Sequence, residues 1–173
     1  VVKKTAPAAK KPAVKKASAP KAVAVKAAAP KTASLKDRVI SVIQGGGRFA
    51  AVATVDSKNK PHVRIMAVKN EGIDICSASF TKSDKVAQIK NNHSVSITIL
   101  KDYSTMMCDY IRVEAIATVY TDAKTKKDFW SDGLAYYFKG PDDPNYCVIK
   151  FKTVSIQFND GETFKTEILK PGR

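Results

Sequence analysis

Apolar residues along the chain recur first at helical spacing and then in strict alternation. Leu35, Val39, Ile40, Val42 and Ile43 follow Ser34-Leu35-Lys36-Asp37, a Ser placed to cap a first turn with an acid three residues on, and the run stops at Gly45-Gly46-Gly47. This predicts one short amphipathic helix. From Phe49 the period becomes two: FAAVATVD, HVRIMAVKN and IDICSAS, separated by SKNKP and EG, read as a meander of antiparallel strands. A short helix from Ser83 (SDKVAQIKNN), a strand SVSITIL, a Met-rich loop and a long strand YIRVEAIATVYT follow. A further helix is expected from about Asp122 to Phe138, then the loop GPDDPN, the strand CVIKFKTVSIQFN and a closing TFKTEIL. About six or seven strands with two or three helices, few of them alternating as strand and crossover helix, predict a mainly β antiparallel barrel and exclude a parallel α/β sheet.

Composition divides the chain in two. Residues 1–34 hold nine Lys and no acid, so nine of the fourteen net positive charges lie there and five in the rest. With Ala, Pro and Val making up most of the remainder, and Pro7, Pro12, Pro20 and Pro30 interrupting any helix, this segment cannot pack a core and is expected to be a disordered arm before a domain spanning 35–173. The arm resembles the Lys-Ala-Pro tails of linker histones and bacterial histone-like proteins. Nine lysines on duplex phosphates would give a salt slope of up to about −8. Such an arm would bind nucleic acid without reading bases; a solubilising tail with no partner is the plain alternative.

No apolar run reaches the roughly 18 residues of a membrane span, and no secretory h-region opens the chain. A cytoplasmic protein without membrane contact is expected, nucleoid-associated if the arm meets DNA. The three cysteines, Cys76, Cys108 and Cys147, lack disulfide or metal spacing and are expected to be reduced, with Cys76 and Cys147 buried.

Phosphate loops, dinucleotide fingerprints, nucleophile elbows and zinc-protease motifs are absent from the sequence. The two histidines, His62 and His93, are far apart, which argues against a metal site or a His-based triad. One cluster differs. PHVRIMAVK places Arg64 mid-strand, facing away from Val63 and Ile65, and SASFTKSDK supplies Ser77, Ser79, Thr81 and Ser83 hydroxyls with Lys82 and Lys85 at a helix start. Cations, short donors and a helix N-terminus are what a phosphate needs. The plain alternative is an exposed Arg64, a capping Ser83 and solvated lysines.

These residues carry a resemblance. A Pro-x-x-Arg-x-Met strand, a hairpin, a Ser/Thr-rich turn ending in Ser-x-Lys at a helix start, a later Phe-Trp helix and the string YFKGPDDPNYCVIKFKTVSIQFND together resemble the FMN-binding split-barrel family related to pyridoxamine 5′-phosphate oxidase, and within it the general-stress-protein branch. The resemblance covers about residues 35–160. It implies a split barrel and FMN bound at a homodimer interface. Arg64 would take the phosphate, backbone groups of Ile65, Met66 and Ala67 would run along the isoalloxazine edge, and Lys69 would contact the flavin. Ser79, Ser83 and Lys85 would complete the phosphate site. Tyr110 and Trp130 are further candidates for contact with the ring or the partner subunit, and Trp130 equally for the core.

Two departures qualify the likeness. Asp84 stands where the family's phosphate trio has Arg, which weakens the case for FMN. The closing TFKTEILKPGR lacks the Arg-Leu-type segment that holds substrate phosphate in true oxidases, so oxidation of pyridoxamine phosphate is not expected. An oxidoreductase needs no visible acid or base here, since a bound flavin performs the redox step; no residue is assigned as catalytic. The alternatives are a nucleic-acid-associated protein whose barrel only dimerises, and a barrel that holds haem or a deazaflavin.

Overall fold

A computed structural model describes residues 33–46, 48–105 and 107–172. All but the last two residues of the expected arm lie outside this range. The elements are α1 (Leu35–Gly45), β1 (Phe49–Val55), β2 (Pro61–Ala67), β3 (Lys69–Glu71), β4 (Asp74–Phe80), α2 (Asp84–Asn91), β5 (Ser94–Leu100), β6 (Tyr110–Tyr120), α3 (Ala123–Phe129), β7 (Tyr146–Asn159) and β8 (Thr166–Leu169). The mainly β antiparallel expectation holds, with eight strands among the described residues.

The strands form one sheet in the order β2-β1-β5-β6-β7-β4-β3, with β8 on β7. Its two ends, β2 and β3, are consecutive in sequence and separated by Val68 alone. A flat sheet cannot satisfy that connection, so the sheet curls until its ends meet. The run HVRIMAVKN, expected as one strand, is therefore two. Val68 is buried and donates its N–H to Arg48 O at 2.7 Å, while Ser77 Oγ of β4 donates to Ala67 O at 2.7 Å across the seam. β6 and β7 are the long strands of the curl, and the register slips at Glu114/Ala115, where a bulge bends them.

The enclosed face is apolar: Val52, Ile75, Ile97, Ile99, Ile111, Val113, Ile149, Phe151 and Phe158 are fully buried. The α1 helix lays Val39, Val42 and Ile43 on this core, with Ser34 Oγ accepting from Asp37 N as its sequence indicated. Gly46 ends α1 so close to the sheet that a Cβ there would lie 2.4 Å from Leu100 O. The α2 helix contributes Val86 and Ile89 to the same core. Cys76 and Cys147 are buried thiols, as expected.

Two expectations fail locally. The helix foreseen over Asp122–Phe138 is α3 followed by a separate 3-10 helix, Asp132–Tyr136. Trp130 and Ser131 between them are extended, because Ser-Asp-Gly favours a turn and because Trp130 folds back edge-on to Tyr146, 5.7 Å between ring centroids. With Phe138 and Val148, Tyr146 anchors a second small core.

The second concerns β2, whose alternation is inverted. Val63 and Ile65 are 68% and 63% exposed, whereas Arg64 lies on the same side of the strand as buried Met66 and is half-buried itself. Arg64 does face away from Val63 and Ile65, but the plain alternative of an exposed Arg64 is corrected: the apolar neighbours face out and the cation faces in. Among the described residues no helix is long and apolar enough to cross a membrane.

Candidate functional site

Arg64 leans over β1 toward α2. Its Nη1 donates to Thr54 Oγ1 at 2.6 Å and to Val52 O at 3.3 Å, and its Nη2 donates to Gln88 Oε1 at 3.0 Å. Thr54 in turn donates to the same Gln88 Oε1 at 2.6 Å. Three of the guanidinium's five N–H groups are thus taken up by the protein, which fixes its plane and leaves two donors. Burial pulls the Arg64 pKa down, and the Asp84 carboxylate opposes that pull.

Across the seam, the last residue but one of β4 is Ser79, whose Oγ lies 3.2 Å from Ser83 Oγ and accepts from Lys85 Nζ at 3.2 Å. Ser83 occupies the N-cap of α2 without capping it, because its hydroxyl donates to Phe80 O at 2.8 Å instead. The first-turn amides of Asp84 and Lys85 therefore have no acceptor from a capping side chain. Lys85 is half-buried, and its pKa is lowered by desolvation and then by the charge of Arg64. Among the described residues neither cation has a carboxylate within ion-pair distance.

Two half-buried cations repelling one another, two serine hydroxyls and the uncovered start of a helix are the donor types a dianionic phosphate takes. Asp84 also acts on Lys85, so the acid offsets both cations before any anion arrives.

The remaining sequence candidates separate. Ile65 is exposed and Met66 buried, while Ala67 already accepts from Ser77 through its carbonyl, so Ser77 serves closure of the sheet. Thr81 Oγ1 turns to Pro144 O at 3.4 Å. Lys69 does not join the cluster: its Nζ donates to Phe129 O at 3.1 Å and lies 4.6 Å from the Phe129 ring centroid. Trp130 is part of the Tyr146 core, and Tyr110 is 41% exposed on the outer face of β6. Sequence reasoning missed Thr54 and Gln88. Their signal was present: Thr54 breaks the apolar inward series Ala50, Val52, and Gln88 sits one turn beyond Asp84 on α2.

The Thr54–Gln88–Arg64 network makes a stability prediction. Gln88→Leu removes the acceptor shared by a fully buried hydroxyl and a half-buried guanidinium, and should cost about 1–3 kcal/mol. Denaturant unfolding measures this, and an unchanged midpoint would remove Gln88 from any organising role.

Comparison with known proteins agrees with this fold. The family described as pyridoxamine 5′-phosphate oxidase matches residues 35–160. General stress protein 26 of Bacillus subtilis (strain 168) is 30% identical over 129 residues, 74% of this chain and 91% of its own. The crystal structure of General Stress Protein 26 from Bacillus anthracis superposes with a TM-score of 0.67 at 30% identity, over 79% of this chain and 98% of that one. Two distant structures share the fold alone. One is a pyridoxamine 5′-phosphate oxidase-related, FMN binding protein from Nostoc punctiforme, with a TM-score of 0.58 at 15% identity over 82% and 99% of the two chains. The other is a heme binding protein from Mycobacterium smegmatis, 0.65 at 10% over 80% and 59%. With its curled antiparallel sheet, a family match across nearly all of the barrel and a relative 30% identical over most of its length, the chain belongs to the pyridoxamine 5′-phosphate oxidase family.

Proposed function

We propose that the protein is an FMN-binding flavoprotein acting as a homodimer, with a redox role whose substrate is open. The observation that carries this reading is the pair of half-buried cations, Arg64 and Lys85, together with Ser79, Ser83 and the uncapped start of α2, and with no carboxylate bonded to either cation among the described residues. The relative from Nostoc punctiforme named as FMN binding supports it. When bound, the isoalloxazine supplies the electron and hydride chemistry. The chain's own residues hold the ligand. Arg64 offers its two remaining N–H groups to the phosphate, and Lys85 and the serines close on it from β4 and α2. β2 pairs only with β1 among the described strands, so of the adjacent Ile65 and Met66 the one whose peptide groups face away from β1 would be open to the ring. Lys69 follows on β3, where the far end of the ring would come.

Dimerisation is supported by the outer face of β2 and its neighbours. Val63 and Ile65 stand exposed opposite Ala53 and Ala51 of β1, which face Ser96 and Thr98 of β5. Small residues beside exposed branched ones make a flat apolar surface that a second copy can cover. The haem and deazaflavin alternatives are separated from this reading by the absorption spectrum of purified protein. The nucleic-acid alternative rests on the arm alone, whereas FMN binding rests on a built cluster in the barrel.

Three outcomes test the proposal. Arg64→Ala removes charge-assisted bonds of about 1.5–3 kcal/mol each, so FMN affinity should fall by roughly a hundredfold or more while riboflavin, which lacks the phosphate, binds as before. Arg64→Lys should rescue only in part, because an ammonium lacks the planar fork, and Asp84→Arg should tighten FMN but not riboflavin. Equal weakening of both flavins by Arg64→Ala would place the phosphate elsewhere.

The second outcome is a pH profile. Lys85 must be protonated to hold the phosphate, and its pKa lies below the ordinary lysine value of 10.5, so FMN affinity should decline as pH rises through that lowered pKa. On the acid side it declines as the phosphate dianion takes up a proton near pH ~6. Free-protein stability runs the other way at high pH. A depressed folded pKa disfavours the protonated form on folding, so stability increases as pH climbs through the lysine range. Titrations of FMN across pH, with riboflavin as control, measure the first effect. The third outcome is oligomeric: light scattering should give a dimer for wild type and a monomer for Val63→Lys, and a monomeric wild type would overturn the interface.

A further inference from the structure

Lys126 of α3 is 6% exposed, yet its ammonium meets no carboxylate among the described residues. It donates to a single backbone oxygen, Asp143 O at 2.8 Å, and lies 5.6 Å from the centroid of the buried Tyr146 ring. Burying a charge is costly, and an apolar side chain of the same length would fill the space without that cost. The acceptor explains the lysine. Asp143 O also receives the N–H of Tyr146 at 3.1 Å, and the Asp143 carboxylate receives the N–H groups of Lys139 and Asn145, which hold its pKa below the usual carboxylate range. The GPDDPN segment is thus folded onto Asp143, and Lys126 ties Asp143 to α3.

The same segment grips the turn between β4 and α2. Asn145 O accepts the N–H of Thr81 at 2.9 Å, and Pro144 O accepts its hydroxyl. Thr81 stands between Ser79 and Ser83, and the turn is closed by the N–H and hydroxyl of Ser83 on Phe80 O. Phe80 pairs with Tyr146, and Ser79 with Cys147, along β4 and β7. The path from Lys126 through Asp143, Pro144 and Asn145 to Thr81 is therefore continuous, and every link is a hydrogen bond or a peptide.

We propose that Lys126 is a positioning residue: by clamping Asp143 O it fixes the GPDDPN segment against Thr81 and so sets the turn that presents Ser79, Ser83 and Lys85 to an anion. Lys126 touches no part of that cluster itself. The inference deepens the FMN reading and rests on it for the identity of the anion, while the clamp can be tested without any flavin.

The experiment uses the full chain as wild type, Lys126→Met, Lys126→Arg and Asp143→Asn. Native-state amide exchange is the ligand-free measurement. In Lys126→Met the Thr81 and Ser83 amides should exchange about tenfold faster, with β5 and β6 unchanged, since only a local opening has become easier. Titration with FMN and riboflavin is the second measurement: FMN should weaken by about tenfold, riboflavin should not, and Lys126→Arg, which keeps a donor for Asp143 O, should restore most of the loss. Asp143→Asn, which loosens the segment without touching the buried site, should shift both readouts in the same direction and carries them if Lys126→Met fails to fold. Unchanged exchange at Thr81 and Ser83 overturns the inference, as does faster exchange everywhere with both flavins weakened alike, which would mark Lys126 as an element of global stability. If wild type binds neither flavin, the FMN reading falls and the exchange arm alone decides the clamp.

Discussion

The fold depends on a connection of one residue. Because Val68 alone joins the first and last strands of the sheet order, the sheet has no open arrangement available, and closure is imposed by covalent geometry before any side chain chooses a partner. Closure then creates the site. It sets β2, which carries Arg64, beside β4, which carries Ser79, although these strands do not pair. The bond from Ser77 to Ala67 O locks that approach, and α2 lies against both halves through Gln88 and Lys85. The cationic cluster is a property of the seam, and no single hairpin could have built it.

How much of this was legible follows from the same constraint. Strands that alternate against one core were read directly: β1, β5 and β6 each place every second residue inside, and the Ser34 cap and the buried thiols belong to the same local logic. The break at Val68 was not legible, because Val continues the β pattern on both sides and the reason to stop is topological. Nor was the direction of Arg64. Alternation separates it from Val63 and Ile65 but cannot say which side is inside, and the usual rule, apolar in, gives the wrong answer on an edge strand whose apolar side is left facing out. The helix over Asp122–Phe138 failed for a third reason: the aromatic spacing of Phe129, Trp130 and Phe138 suits a helix, yet Trp130 leaves it to join Tyr146.

Within the site, Arg64 and Ser79 were identifiable by residue type, since phosphate chemistry narrows the choice to cations and short hydroxyls. Thr54 and Gln88 left only a weaker signal, a polar break in an inward apolar series and a position one turn along α2, because neutral polar residues at such positions are more often caps or surface groups. Their role appears only when the guanidinium is seen to use three of its N–H groups on them and on Val52 O. That arrangement has a consequence for specificity. A guanidinium fixed in its plane by the protein can meet an anion only along its remaining edge, so the ordering cost of a long side chain falls on folding and not on ligand capture.

Asp84 completes the electrostatic argument. It stands where the family's phosphate trio has a cation, at the first turn of α2, where the helix dipole favours an acid. Its charge offsets both Arg64 and Lys85, whose mutual repulsion would otherwise oppose the closed seam. On the FMN reading proposed above, an arriving phosphate would take over that compensation and meet the repulsion of the carboxylate at the same time. On that reading, the residue that eases the unliganded fold would also be the one that limits affinity. A single acid in place of a base would then shift the balance from tight retention of an anion toward a protein whose Arg64 and Lys85 are compensated whether or not a ligand is bound.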